Sequence, residues 1–368
     1  MRQKNSPTRV LVHYRVEQEM SLLALPLELY SIVATFLGPK EQAALACTSR
    51  FANHITQDIL YYHDGTSKNP AALLWAAGKG QIDKASKALG ALQRQCTVHK
   101  TKCECISQSI LSKSLHRASA GGYTEIVQLL LDKGAEVNAQ SEWLATALQT
   151  ASHHGHENIL KVLLGRIANV DVRSGRFGTA LQAASATGHE MIVQLLLDAG
   201  ADVNAQGGRL PTALQEASAN GYAKIVELLL SKSADVNAQD ENSATALQVA
   251  SANGHERIVQ LLLDNSASVN AQGGRLATAL QVASANGHDN IVQLLLDKGA
   301  NIEARSGWFP TALQLASLHG YDKIVQILLD WGAGVNTQGG GCATALQLAS
   351  LKGHRKVVDL LADKHVES

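Results

Sequence analysis

The tetrapeptide Thr-Ala-Leu-Gln occurs seven times in this chain of 368 residues, headed by Thr146, Thr179, Thr212, Thr245, Thr278, Thr311 and Thr344. Neighbouring threonines stand 33 residues apart at every step, and a degenerate copy, Lys113-Ser114-Leu115-His116, lies one period before the first. A unit of this size cannot bury its apolar face alone, so it must stack on its neighbours and the chain grows along one axis instead of closing on one core. Recognition then belongs to the surface positions that differ from unit to unit.

The unit headed by Thr245 shows how each is built. Ala246, Leu247 and Ala250 share one side of a short helix, and their small side chains let the next unit approach closely. Gly254 closes this helix and returns as Gly122, Gly155, Gly188, Gly221, Gly287, Gly320 and Gly353, where a left-handed residue is expected. A ring follows each glycine: Tyr123, His156, His189, Tyr222, His255, His288, Tyr321 and His354. A ring in one register eight times is expected to pack and hydrogen-bond between units, so its five histidines read as structural. Ile258, Val259, Leu262 and Leu263 form the apolar stripe of a second helix, closed in other copies by Gly134-Ala135, Gly200-Ala201 and Gly299-Ala300. These blocks resemble the ankyrin repeat, whose usual Thr-Pro-Leu-His stands here as Thr-Ala-Leu-Gln. The resemblance covers residues 113–368 and implies an all-α solenoid of paired antiparallel helices with short hairpin fingers. Lys352, Arg355, Lys356 and Lys364 suit a C-terminal cap that turns one face to water. Without the usual proline and histidine, Thr and Gln must stabilise the turn, by one solution common to all full copies.

The N-terminal region differs. Residues 1–20 are polar and mixed in charge, as expected of a flexible terminus. From Leu22, three short helices are expected: one opened by Pro26 with Leu29, Ile32, Val33 and Phe36 on its buried face, a second through Leu45, and a third through Ile59. Residues 22–60 resemble an F-box, matching its pattern at Leu25-Pro26, Glu28-Leu29, Ile32, Leu37, Leu45 and Ser49-Arg50-Phe51. The resemblance implies a small three-helix domain over 21–62 that holds a Skp-type adaptor through Leu25, Pro26, Glu28, Ile32 and Leu37, linking the repeats to a cullin-based ubiquitin ligase. The plainer reading is a helical cap that seals the solenoid. An F-box-like start followed by such repeats looks like a fungal arrangement. Residues 71–112 read as a divergent first repeat with an insertion carrying Cys96, His99, Cys103 and Cys105. Zinc prefers pairs of ligands two to four residues apart in a tetrahedral set. One pair here is too tight, the other too wide, and Lys100 and Lys102 intrude, so this stretch reads as a cysteine-bearing surface loop without metal.

Charge narrows the partners. Thirty-two basic residues balance 32 acidic ones, which leaves no net field to gather nucleic acid or an anionic membrane. Five cysteines without a paired framework suit reduced thiols in the cytoplasm or nucleus. The apolar runs fall far short of the roughly 20 residues that span a bilayer. Gly207-Gly208 and Gly339-Gly340-Gly341 mark finger turns, and no nucleophile with a partnered base, phosphate loop or cofactor motif stands out.

Comparison between units isolates the candidate contacts. Trp143, Arg176, Arg209, Arg275 and Trp308 occupy one finger register, and aromatic and arginine side chains are the usual anchors of protein interfaces. On the first helix, Thr150, Ala183, Glu216, Val249, Val282, Leu315 and Leu348 vary, as do pairs such as His153-His154 and Ala219-Asn220. The latter pairs should line an inner wall beside the fingers, small and polar at its centre and bulkier at its ends, suited to an extended peptide or a protein edge. The chain thus reads as a non-enzymatic, monomeric binding protein: a ligase substrate receptor if residues 22–60 hold an adaptor, a scaffold if they do not. The target itself is not legible.

Overall fold

The period resolves into helix–turn–helix pairs in the computed structural model, which describes residues 71–98, 108–140, 145–166, 168–173, 178–207, 212–239, 244–272, 278–305, 310–337 and 343–367. The pairs are α1 (Ala71–Lys79) with α2 (Ile82–Val98), α3 (Gln108–Gly121) with α4 (Thr124–Asp132), and α5 (Ala147–His154) with α6 (Glu157–Leu164). They continue as α7 (Ala180–Thr187) with α8 (Glu190–Asp198), α9 (Ala213–Asn220) with α10 (Ala223–Ser231), and α11 (Ala246–Ala252) with α12 (Glu256–Asp264). The last are α13 (Ala279–Asn286) with α14 (Asp289–Asp297), α15 (Ala312–His319) with α16 (Asp322–Asp330), and α17 (Ala345–Lys352) with α18 (Arg355–Glu367). One apolar core runs unbroken from Ala72 to Leu361. Ala246, Leu247 and Ala250 are buried in it, as are Ile258, Val259 and Leu262, while Leu263 is half-buried. First helices, lined by alanine and serine, lie closer to one another than the leucine-rich second helices do, which turns the first-helix side inward.

Each Thr-Ala-Leu-Gln is a reciprocal cap. In α15, Gln314 Oε1 accepts from the Thr311 N–H at 2.8 Å while Thr311 Oγ1 accepts from the Gln314 N–H at 3.4 Å. All seven copies do the same, which satisfies two N–H groups that a helix start otherwise leaves unpaired. The glutamine's amide nitrogen points the other way, into the next unit. Gln314 Nε2 donates to the carbonyls of Thr337 and Ala343 at 3.0 and 2.7 Å. Gln149 reaches Val172 and Gly178 in this way, Gln215 reaches Ala238 and Ala244, and Gln281 reaches Pro310. One side chain therefore caps its own helix and ties down the following turn.

A second seam joins ring to glycine. Gly221 ends α9 at φ 85°, and a Cβ placed on it would stand 2.8 Å from Cε1 of His255 in the next unit. That position excludes a side chain for both its backbone and its neighbour. The His255 Nε2 lies 3.1 Å from the Ala219 carbonyl, and His156, His189, His288 and His354 repeat the contact 36 residues back. The histidines of this register are structural, as their periodicity predicts. A third seam runs through the turns: the side-chain oxygens of Asn138, Asn204, Asn237 and Asn270 accept from backbone N–H groups 31 residues on, at 2.7–2.8 Å. Asp132–Arg166, Asp264–Lys298 and Asp322–Lys356 link second helices across the outer face. Being exposed and screened by solvent, these pairs contribute little to stability.

Two expectations change. Residue 96 lies in α2, not in a loop, because that helix continues to Val98, and α3 starts at Gln108, ahead of the Lys113 register. The insertion is thus largely absorbed into two longer helices. His99, Cys103 and Cys105 lie outside the described residues, as do the finger tips, the F-box-like residues Leu25, Pro26, Glu28, Ile32 and Leu37, and the three helices expected over 22–60.

Ile167, Ser233 and Ser266 stand where other units have the glycine that follows the second helix. Ile167 lies outside the described residues; Ser233 and Ser266 hold φ 64° and 66°, where Gly134, Gly200, Gly299 and Gly332 hold 83–86°. Nothing lies within 4 Å of a Cβ at those four glycines, so the cost of serine is in the backbone alone. Ser233→Gly and Ser266→Gly should each stabilise the protein by about 0.5–1 kcal/mol in urea unfolding followed by circular dichroism. Gln314→Ala, which strips a cap and two inter-unit bonds, should cost about 2–4 kcal/mol. Hydrogen exchange should show loosening on both sides of that junction, in α15 and α17; loosening in α15 alone would mean the inter-unit bonds carry no weight.

Candidate functional site

The positions left over by the three seams lie together. Each first helix spends its N-terminal turn on the cap and its buried alanines on stacking, so its last turn and a half faces outward on the inward-turned side. Counting back from the closing glycine, the residues five, two and one positions before it form three rows across the stack. The first row is Trp75, Arg117, Thr150, Ala183, Glu216, Val249, Val282, Leu315 and Leu348. Apart from Ala183 and Glu216, which are buried, these side chains are half-buried or exposed. The rows two and one before the glycine run through Gly78 and Lys79, Ala120 and Gly121, His153 and His154, and on to Leu351 and Lys352.

Of the predicted contacts, the structure brings His153, His154 and Glu216 onto this wall. Trp143, Arg176, Arg209, Arg275 and Trp308 lie outside the described residues. The His153 and His154 rings meet edge to face with centroids 5.0 Å apart, and His154 stacks on His156 at 6.0 Å. The carbonyl of His153 faces the His189 ring nitrogen at 3.2 Å, so this pair is anchored to the following unit. His154 Nδ1 lies 2.9 Å from the Thr150 carbonyl, and Thr187, Asn220, Asn253 and Asn286 donate to the carbonyl four residues back in the same manner, at 2.8–3.0 Å. The polar row is thereby held in place before any partner arrives. Glu216, 8% exposed, sits on the row five before the glycine, between Ala183 and Val249.

Sequence comparison started this wall at the His153-His154 pair, did not assign the row of Thr150 to it, and missed its first two units. Trp75 and Arg117 hold the same register, five residues before Gly80 and Gly122, a spacing that could have identified them. Together with Gly78, Lys79, Ala120 and Gly121 they line a hollow at the N-terminal end of the wall. Arg117 packs along Gly78, where an added Cβ would make only an ordinary contact, 3.7 Å from the arginine Cδ. Arg117 reaches toward the Leu74 carbonyl at 3.5 Å, and Lys84 Nζ lies 4.7 Å from the centre of the Trp75 ring. Among the described residues no group of three or more His, Cys, Asp or Glu is placed to hold a metal ion, and no helix is long and apolar enough to cross a membrane.

Two imidazoles carry a pH signature. His116 stands in the register that Gln149 and its sisters fill, buried, with Nδ1 2.6 Å from the Ser112 carbonyl. Burial holds its pKa below the ordinary value, against the raising pull of backbone groups of Ser112 and Ala145. Burial likewise lowers His153, helped by the charges of His154 and His189.

The family model for ankyrin repeats matches in three copies, at residues 115–207, 214–306 and 274–339, which together cover more than half of the sequence. Comparison with curated proteins finds no match.

The lowered imidazoles make stability fall with acid. Below about pH 6.5 the unfolded chain takes up protons that the folded His116 and His153 refuse, so unfolding is favoured as the pH drops. Urea unfolding between pH 7.5 and 5 should show this slope. His116→Gln with His153→Ala, the residues that sister units use, should flatten it.

Proposed function

The chain belongs to the ankyrin-repeat family, and from that premise we propose that it is a non-enzymatic protein-binding module that captures its partner on the inner wall and the fingers. One observation carries this reading. The periodic polar groups are engaged in joining one unit to the next, whereas the wall positions, most of them half-buried or exposed, change character from unit to unit. A stack held by its periodic groups can vary its wall without losing its fold. On this reading His153, His154, Glu216, Trp143, Arg176, Arg209, Arg275 and Trp308 contact the partner.

A finer role rests on the N-terminal residues. Leu25-Pro26, Glu28-Leu29, Ile32, Leu37 and Ser49-Arg50-Phe51 support a Skp-adaptor contact, which would make the chain a substrate receptor of a cullin-based ligase. The ankyrin repeats themselves support the broader role, a scaffold or interaction protein, equally well with or without that link. In the receptor case the domains are an adaptor-binding segment over 21–62, a divergent repeat over 71–112 and a target-binding array over 113–368.

Purified full-length chain should retain a purified Skp adaptor on beads in the receptor case, and a chain lacking residues 1–62 should not, while both hold the target. Failure of the full-length chain to retain the adaptor leaves the scaffold role.

A further inference from the structure

The wall is not uniform, and its gradient specifies a partner. At its N-terminal end Lys79 and Arg117 are exposed beside Trp75, with His153 and His154 in the next unit. In the three rows no carboxylate appears before Glu216, in α9. Beyond it the register five before the glycine becomes apolar in four consecutive units: Val249, Val282, Leu315 and Leu348, each half-buried. Leu351, 79% exposed, extends that surface at the far end, where the exposed Lys352 closes the neighbouring row.

Stacking does not require this choice. The same register accepts Trp75, Arg117, Thr150, Ala183 and Glu216 in sister units of the same fold. Four branched apolar side chains in a row, partly open to water, are therefore available to a ligand. The cationic end is exposed: Lys79 and Arg117 both face solvent, and among the described residues Arg117 makes one long contact, to the Leu74 carbonyl, with its five N–H donors.

We propose that the inner wall takes an elongated segment of a partner protein that is acidic at one end and apolar at the other. Its acidic end lies at α1 and α3 and its apolar end crosses α11 to α17. The proposal deepens the protein-binding reading and rests on it. The Arg117 guanidinium and the Lys79 ammonium receive carboxylates at the hollow, where Trp75 offers a flat apolar floor. Glu216 marks the border, because its carboxylate opposes an acidic stretch that runs further. With first helices about 10 Å apart, the four steps from α3 to α11 span about 40 Å, or about 12 extended residues. From α3 to α15 the six steps span about 60 Å, so a segment of about 20 extended residues covers the hollow and most of the apolar row.

A displayed library of random 20-residue peptides, selected on the full-length chain, tests this. The selection is repeated on two double variants: Lys79→Glu with Arg117→Glu, and Val282→Thr with Leu315→Thr. Glu and Thr already occur in the first of these rows in sister units, and thermal melts confirm that the variants fold. The unaltered chain should enrich peptides divided into an acidic and an apolar half. The charge-reversed chain should keep the apolar half and lose the acidic one, and the threonine chain the converse. Fluorescence anisotropy with one enriched peptide should show affinity reduced about tenfold or more by either double variant, and a salt dependence that the charge-reversed chain loses. Enriched peptides without the division, or the same peptides from all three chains, overturn the proposal and leave protein binding intact. No enrichment on any chain overturns both.

Discussion

The hydrogen bonds of one glutamine side chain hold this architecture together. An amide has an acceptor at one corner and two donors at another. The Thr-Ala-Leu-Gln block uses the acceptor to cap its own helix and the donors to secure the carbonyls of the following turn. A proline in the second position would only pre-set the backbone there. The reciprocal cap of threonine and glutamine does that work by hydrogen bonding. His116, one period before Gln149, keeps an imidazole in the same register, with Lys113 in place of the capping threonine. At the other end Gln347 still caps Thr344, at 2.9 Å, but is exposed to water. The two halves of the glutamine's role are thus separable, and only the half facing its own helix survives in the terminal unit.

The seams differ in what they can contribute. The glutamines are at most 2% exposed in units up to α15, so their bonds are made where water cannot compete. The ring-on-glycine contact adds close packing and a hydrogen bond to a carbonyl in the preceding unit. The charge pairs on the outer helices shift Asp264, Asp289 and Asp322 below the usual carboxylate range, Asp264 first through Gln260 and the others through Lys323 and Lys356. Those groups stay close to solvent, so the shifts reflect local hydrogen bonds more than stability. Order along the stack therefore comes from its buried amides, rings and alanines. A buried serine column accompanies them: Ser152 donates to the Leu148 carbonyl at 2.8 Å, and its sisters occupy the same register.

Much of this was readable in the sequence because it repeats. The helix pairs, the left-handed glycines and the structural rings all follow from residues that recur at 33-residue intervals. The glutamine's second set of partners did not, since Val172 and Gly178 are 23 and 29 residues from Gln149 and carbonyls have no sequence signature. Nor did the lengths of α2 and α3, where the period is interrupted and no copy is available for comparison. Ser233 and Ser266 escaped for a different reason: at both, the chain tolerates a strained backbone where the pattern elsewhere calls for glycine. The paired rows of the wall were legible from His153 onward, but the row of Thr150 joined them only in the structure, and Trp75 and Arg117 emerged only when the register was carried through the divergent units.

The division of labour within a single helix explains how such a chain can specialise. In α9, Thr212 and Gln215 are buried in the cap and Ala213 and Ala217 in the stack, which leaves Glu216, Ala219 and Asn220 toward the inner side. Substitution in the first group propagates to both neighbours, because those bonds are shared between units. Substitution in the second group changes what the wall presents and little else, which is why Arg, Thr, Glu, Val and Leu can occupy one register of one fold. The resulting surface has a direction, cationic where α1 and α3 meet and apolar toward α17. A stack of near-identical units has no intrinsic polarity of charge, so that direction comes entirely from residues the fold leaves free.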